Sequence, residues 1–344
     1  KGLDPFDLGA AALKGALARA GLGPEAVDKV VFGNAYHVGT HACYGGRYVG
    51  HRAGVPDSSP GLAVNLACGS GLYAMAVAAQ ELRSGGGRVV AAVGADAPSM
   101  VRKAVMIPSF TDISAGEHIS ASVHRLALEY GVGRSEQDRW ALRSHERAAA
   151  ARDKGWLAEE IVPAAGLGHD DSILAAPVPA HFHQSRPLFE GGTPTHASTH
   201  AIVDGGAALL MAGAAGGPPP CRPIGRCLAD AVAAAEPRRM ALACALALRR
   251  AAERAGVSLE DIDLFEINET FAAQALVDIK ELGIPEEKVN VNGGAIAIGH
   301  AFAGTGGRLA LTLLHELGRR KLRLGAAAVS LGGGQGIAVV LERL

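Results

Sequence analysis

Four phrases of the sequence carry residue types suited to acyl and proton chemistry. Cys68 stands in ACGSG, directly ahead of the apolar helical run Leu72 to Leu82. A thiol at a helix N-terminus meets the positive end of the dipole, which favours thiolate, and flanking glycines leave it accessible; the alternative role is that of a small buried hydrophobe. His300 lies in NVNGGAIAIGHAFAGTGGR, Asn290 to Arg308, and is the one residue of that stretch able to exchange protons near neutral pH, in a backbone rich enough in glycine to let a ligand approach. A nucleophilic cysteine needs a base, and Cys–His pairing is the expected arrangement. EINETFAAQ, Glu266 to Gln274, sets Asn268 and Glu269 between a strand end and an apolar helix, as a helix cap or as polar groups of a site. SLGGGQG, Ser330 to Gly336, ends a strand in consecutive glycines whose N–H groups suit an oxyanion or a plain turn.

The elements that must position these residues occur twice. Asp7 to Ala20 reads as an amphipathic helix closed by Gly21, with a strand over Val27 to Phe32. The phrase ALKGALARAGLGPEAVDKVVF from Ala12 returns as ALRRAAERAGVSLEDIDLFEI from Ala247, with Gly21 matching Gly256 and Asp28 matching Asp263 at one constant offset. The repeat continues: Asn65 opens a turn, a helix and the strand Arg88 to Gly94, while Asn290 opens the glycine stretch, a helix to Leu317 and the strand Ala326 to Leu331. So long an offset indicates a duplicated domain, and alternating strands and helices indicate mostly parallel sheets covered by helices. Between the halves lies a segment with one strong helix, Ser135 to Lys154, and a stretch rich in His, Pro and Gly, which suits a cap over a site. The expected division is 1–110 for the first half, 111–221 for the cap and 222–344 for the second half.

Composition narrows the function. Hydrophobic residues make up 49% and aromatics 4%, which favours close helix packing over bulky aromatic cores. With 33 basic and 34 acidic residues the formal charge is −1, so no general field attracts nucleic acid or an anionic membrane. The cysteines show no CxxC or zinc spacing, which makes a reduced, cytoplasmic setting the expectation. No charge-free apolar run of about 18 residues and no signal-peptide plan is present, so neither a membrane span nor export is expected.

Taken together and in order, CGSG at Cys68, NETFA at Asn268 to Ala272, NVNGGAIAIGH at Asn290 to His300 and SLGGGQG at Ser330 to Gly336 resemble the motifs of the thiolase family. RSEQDRWALRSHERA from Arg134, EEIVP from Glu159 and TPTHASTHAIVDGGAALL from Thr193 resemble its weaker ones, so the likeness spans nearly the whole chain. The resemblance implies an α/β fold of duplicated βαβαβ halves, layered α-β-α-β-α, with an inserted cap. It implies an acyl-CoA C-acyltransferase in which Cys68 attacks a thioester and holds the acyl group. His300 would take the thiol proton and, with a water held by Asn268, stabilise an enolate, while N–H groups of Cys68 and Gly332 form a second oxyanion hole. His118, Ile119, His200 and Phe271 would contact the CoA pantetheine or line the tunnel. It further implies no resident cofactor or metal, acyl-CoA and CoA as substrates, and a homodimer or homotetramer built edge to edge on the sheet.

Several positions depart from the family pattern. Ser330 stands where thiolases place a second cysteine that moves the Cα proton, and a hydroxyl is a much poorer acid–base than a thiol. Ala301 replaces a proline, His200 a cap serine and Ser198 a cap asparagine, which indicates a rebuilt tunnel. The strand that members carry before the first helix is missing ahead of Asp7, and the stretch Met106 to Gly116 runs short. His181, His183, His196 and His200 invite a metal reading, but no carboxylate or cysteine completes a set nearby in the sequence, and thiolase chemistry needs no metal. Two other functions are compatible with the motifs: a decarboxylative condensing enzyme, which needs no Cα base, and a non-catalytic acyl-CoA-binding subunit.

Overall fold

The computed structural model describes residues 2–38, 41–213 and 217–344. The first half begins with α1 (Pro5–Ala20), capped by Asp4, whose carboxylate accepts from Asp7 N at 2.7 Å, and closed by Gly21 at φ 65°. It continues through β1 (Lys29–Gly33), α2 (Gly45–Ala53), β2 (Gly61–Val64), α3 (Ser70–Arg83) and β3 (Val89–Asp96). The cap holds α4 (Lys103–Met106), the ribbon β4 (Thr111–Asp112) and β5 (Glu117–His118), α5 (Ile119–Glu129), α6 (Arg134–Asp153) and α7 (Pro179–His183). β6 (Gly205–Ala212) then returns antiparallel to β3. The second half runs β7 (Gly225–Ala234), α8 (Ala243–Ala255), β8 (Leu264–Ile267), α9 (Ala272–Leu282), α10 (Ala295–Ile298), α11 (Ala303–Arg320), β9 (Leu324–Leu331) and β10 (Gln335–Arg343). The range expected to be cap thus contains one strand of the first sheet, and its helical content exceeds the single helix legible in the sequence.

The two sheets have strand orders β2-β1-β3-β6 and β7-β10-β9-β8, with parallel pairs β1–β2, β1–β3 and β8–β9. Side-chain alternation divides each sheet between two cores. Val31, Val90 and Ala92 of the first sheet and Ala327, Val329 and Leu331 of the second face a shared inner layer made by α3 and α11. The opposite faces are covered by α1 and α2 on one side, and by α8, α9, α5 and α6 on the other. The layers are therefore α-β-α-β-α.

The matched residues of the repeat do the same work in both halves. Gly21 and Gly256 both end a helix in the left-handed conformation, at φ 65° and 68°. Asp28 accepts from Arg88 N at 2.7 Å and Val89 N at 2.9 Å, and Asp263 accepts from Arg323 N and Leu324 N at 2.9 Å, so each carboxylate fixes the start of the neighbouring strand. The halves part at one sheet edge. β10 is flanked by both β9 and β7, whereas its counterpart β6 has β3 as its strand neighbour among the described residues. A cavity of about 1270 Å³ lies along β6, bounded by Leu8, Met75, Leu209, Met211 and Leu314.

Candidate active site

Both chemical turns are held in unfavourable backbone. Ala67, just before Cys68, has φ 43°, and the turn is closed by the Ser70 hydroxyl, which accepts from Leu66 N at 2.9 Å and donates to Ala67 O at 2.6 Å. His300 lies between Gly299 at φ 101° and Phe302 at φ 43°. A bulky residue at positive φ persists only where its surroundings enforce it, and such strain concentrates at functional sites. Here the cap supplies part of the restraint: His300 N donates to Ala201 O at 2.7 Å and Val203 N donates to His300 O at 3.4 Å.

The inner helices bring the turns together. A Cβ on Gly71 of α3 would collide with Ala303 O of α11, and one on Gly306 would collide with Leu72 N, so the helix starts cross backbone to backbone. Gly71 and Gly306 are separated by the same offset as Gly21 and Gly256, which makes the crossing a consequence of the duplication. A Cβ on Gly69 would meet Leu331 and Ile337, so the Cys68 turn also abuts the β9–β10 turn that carries Gly332. Among the hydrogen bonds of the described residues, the N–H groups of Cys68 and Gly332 have no protein acceptor.

Around His300 the ring contacts form a chain into the cap. Its ring lies 4.7 Å from that of His200 and 5.0 Å from that of Phe302. Phe302 is edge-on to Tyr36 at 4.9 Å and reaches Phe110 at 6.5 Å, which in turn reaches His118 at 6.2 Å. His300 Nδ1 is 2.7 Å from Thr305 Oγ1, which also accepts from Ala301 N. In the tautomer with Nδ1–H donating to that oxygen, Nε2 presents a lone pair. Three buried atoms remain without a protein partner in this region: His300 Nε2, His200 Nε2 and Asn268 Oδ1. Asn268 sits at the end of β8, its N–H bound to Ala328 O at 2.9 Å and its amide to Thr270 Oγ1 at 3.3 Å, while Thr270 O accepts from His200 Nδ1 at 2.9 Å.

Burial decides the protonation states. Cys68 is half-buried at its surface, and its thiol, closed in by neighbouring protein, is pushed up to about 12, chiefly by desolvation and further by the Asp96 carboxyl. This corrects the expectation of a helix-stabilised thiolate: loss of water outweighs the helix end. His300 is held well below its ordinary value by burial, then by His200 and Arg308, and His200 is lowered to about 4 by burial. The resting pair is therefore a neutral thiol and a neutral imidazole, with proton transfer coupled to attack. Asp96 is raised to about 7 by burial, although Tyr36 N and Ala303 N donate to it at 3.0 and 2.9 Å.

The remaining residues picked from sequence divide by position. His118 caps α5, with Nδ1 at 2.7 Å from Ser120 Oγ. Ile119 and Phe271 are buried in the outer core of the second sheet, and Phe271 is bridged through its backbone to Thr199. Glu269 does not point at the histidines: Trp140 Nε1, Ser144 Oγ and Asn290 Nδ2 donate to it at 2.9, 2.7 and 2.9 Å, which ties the cap helix to the glycine stretch. The cap histidines diverge, His183 toward Asp138 at 3.1 Å and His181 edge-on to Phe182. Among the described residues no group of three or more side chains is set to hold a metal ion. Tyr36, Phe110, Phe302 and Thr305 escaped the sequence reading. Only Phe302, a bulky residue amid glycines next to the histidine, carried a local signal.

The family model described as thiolase, N-terminal domain, matches residues 1–106 and 95–215, and that described as thiolase, C-terminal domain, matches residues 221–343. The chain belongs to the thiolase family. Among similar thiolase-family proteins, an acetyl-CoA acetyltransferase of Chromobacterium violaceum is 35% identical over 366 residues, covering 98% of this chain and 93% of that protein. A 3-ketoacyl-CoA thiolase of Bacillus subtilis is 36% identical over 363 residues, with the same coverage of 98% and 93%. The crystal structure of human mitochondrial 3-ketoacyl-CoA thiolase superposes with a TM-score of 0.96 at 32% identity, covering 99% of this chain and 93% of that one. The same human thiolase in complex with CoA superposes with a TM-score of 0.96 at 31% identity.

Proposed function

We propose that this thiolase-family acyltransferase forms an acyl thioester on Cys68 and then carries out thiolysis of a 3-ketoacyl-CoA or the reverse Claisen condensation. The observation that carries the reading is His300 Nε2, buried without a protein partner while Nδ1 is fixed by Thr305. A buried polar atom left open this way is set aside for a ligand or a water. In the first step His300 takes the Cys68 proton as sulfur attacks the carbonyl carbon, and the oxyanion is met by the N–H groups of Cys68 and Gly332. In the condensing step a water between His300 and Asn268 steadies the enolate oxygen. Two reacting carbonyls need two separate sets of fixed donors, each worth about 3 kcal/mol. Ser330 is the group at the Cα proton, and its hydroxyl is the weak member of the set.

CoA is substrate rather than resident cofactor in this reading. Its pantetheine passes beneath the cap, with His200 against the histidine and Phe302, Phe110 and His118 along the aromatic side; Ile119 and Phe271 support the tunnel wall from within the core. The edge strand β2 is partly exposed and carries an exposed Leu62, which fits edge-to-edge pairing of two copies, with a tetramer as the larger form. No helix of the described residues is long and apolar enough to cross a membrane, and five free cysteines fit a reduced compartment such as the cytoplasm. Incubation with acetyl-CoA followed by intact mass is expected to give an acetyl adduct that Cys68→Ala abolishes. Absence of an adduct with every acyl-CoA in a chain-length panel would sink the reading.

A further inference from the structure

The glycine turn between β9 and β10 is held by a residue of the cap. Leu331 and Gln335 pair across the hairpin, and Gly332, Gly333 and Gly334 close it. Gly333 and Gly334 stand at φ 77° and 70°, and glycine adopts either sign of φ readily, so the turn has little of its own to fix it. Two contacts supply the restraint. Ala235 N donates to Gly334 O at 2.7 Å. From the cap, the Asp112 carboxylate accepts from Gly333 N at 2.8 Å. Gly332 is thereby fixed on both sides, through Leu331 by the hairpin and through Gly333 by Asp112. A Cβ on Gly332 would meet no protein atom within 4 Å, so the space before it is open.

Each oxygen of Asp112 has a separate task. Asp112 ends β4, and its Oδ1 accepts from Ser114 N at 2.8 Å and Ala115 N at 3.0 Å, which shapes the turn to β5. Its Oδ2 is the atom on Gly333. Arg238, just ahead of α8, ties the same ribbon to the second half by donating to Ala115 O at 3.2 and 3.1 Å. The ribbon also carries His118, paired with Thr111, and Phe110 immediately before it lies against the His118 ring. One short ribbon therefore reaches from the aromatic chain around His300 to the glycine turn. No step assigned to Cys68, His300 or Asn268 uses Asp112.

We propose that Asp112 is the positioning residue of the oxyanion hole: by holding Gly333 N it keeps the Gly332 N–H aimed at the thioester oxygen. The proposal rests on the thiolase-type reading of the site, in which Gly332 and Cys68 supply those donors. When the Cys68 sulfur attacks, negative charge develops on the carbonyl oxygen, and a donor already in place needs no reorganisation at that moment. Without the clamp the glycine turn must be ordered in each reaction, against the conformational entropy of free backbone. The charge of Asp112 acts in the opposite sense, because it repels the oxyanion. That charge is met by the N–H groups of Ser114, Ala115 and Gly333, so position outweighs repulsion.

Asp112→Asn separates these effects. Its Oδ1 keeps the turn to Ser114 and Ala115, while its amide Nδ2 meets Gly333 N donor to donor. The rate of Cys68 acetylation at saturating acetyl-CoA, read by rapid-quench intact mass, is expected to fall about 30-fold, short of the roughly 100-fold or more for outright loss of an oxyanion donor. The half-saturating acetyl-CoA concentration is expected to stay within about twofold, the sign of a contact that acts in the transition state. Alkylation of Cys68 by iodoacetamide displaces iodide at a saturated carbon and forms no oxyanion, so it too should stay within about twofold. Arg238→Met loosens the ribbon and leaves the clamp in place; it should raise the half-saturating concentration and leave the saturated rate within about twofold. Unchanged or faster acetylation in Asp112→Asn would overturn the proposal, since repulsion would then outweigh position. A parallel fall in alkylation would overturn it by placing the effect on the thiol, and equal slowing in Arg238→Met by placing it on the seating of the ribbon. Should Asp112→Asn not fold, Asp112→Ser, whose hydroxyl can serve the local turn but is too short for Gly333, decides by the same measurements. Failure of the unsubstituted protein to acetylate Cys68 would instead count against the function proposed for the site.

Discussion

At Cys68 two electrostatic influences compete. The start of α3 favours thiolate, whereas loss of water and the Asp96 carboxyl oppose it, and the latter prevail. Alkylation of Cys68 by iodoacetamide in the free protein should therefore rise about tenfold per pH unit between pH 7 and 10, read by peptide mapping so that exposed Cys43 is counted separately. A plateau below pH 8 would mean that the thiolate is stabilised after all. Cys68, His300 and Asn268 were legible because each is an unusual residue in an unusual local phrase. The ionisation of Cys68 was not, since a helix end is visible in sequence while the surrounding core is not. Asp112 reads as an ordinary turn residue of the cap, and only tertiary packing sets it on Gly333.

Among the elements, α6 and the paired helices α3 and α11 do the positioning. Glu269 is the pin between α6 and the glycine stretch, and Glu269→Ala would strand Trp140, Ser144 and Asn290 side chains in a dry interior. Loss of about 3 kcal/mol in urea unfolding is the expected cost, the scale for breaking a buried charged network. A change under about 1 kcal/mol would show that water refills the space. Gly306→Ala presses a methyl into the Leu72 backbone at the helix crossing, where no flexible side-chain end is available to yield. The variant should lose about 1–3 kcal/mol by overpacking and lose acetylation of Cys68 in greater proportion than stability, because the displaced helix start carries the nucleophile. Element order and the repeat were readable in outline: β3 and β9 lie within two residues of their expected bounds. α5 was missed and β6 was absorbed into the cap, because a strand pairing across a long insertion leaves no mark in local periodicity.

Over the whole molecule, titration of buried groups sets the response to pH. Asp96 and Glu160 hold protons up to about 7 in the folded chain, whereas the unfolded chain releases them near its ordinary carboxylate values, so both favour folding as pH falls through 7. His200 and His145 are lowered to about 4, so the unfolded chain binds protons first and stability is lost as pH falls below 6.5. The urea midpoint should rise from pH 8 to about 6.5 and then level off or decline; a steady fall from pH 8 downwards would contradict these assignments. Both sheets share the inner core of α3 and α11, so a single cooperative transition is expected by circular dichroism and fluorescence, and two separated transitions would contradict a shared core.

The glycine crossing of α3 and α11 has the form of an interface between two copies of one protein. In a symmetric pair of identical chains, any residue placed before one helix is necessarily placed before the other, so an axis of that kind can offer two thiols or two imidazoles but never one of each. Joining the copies in one polypeptide lifts that identity, and each turn becomes free to diverge. The division of labour between Cys68 and His300 is open to this chain because its symmetry is only approximate.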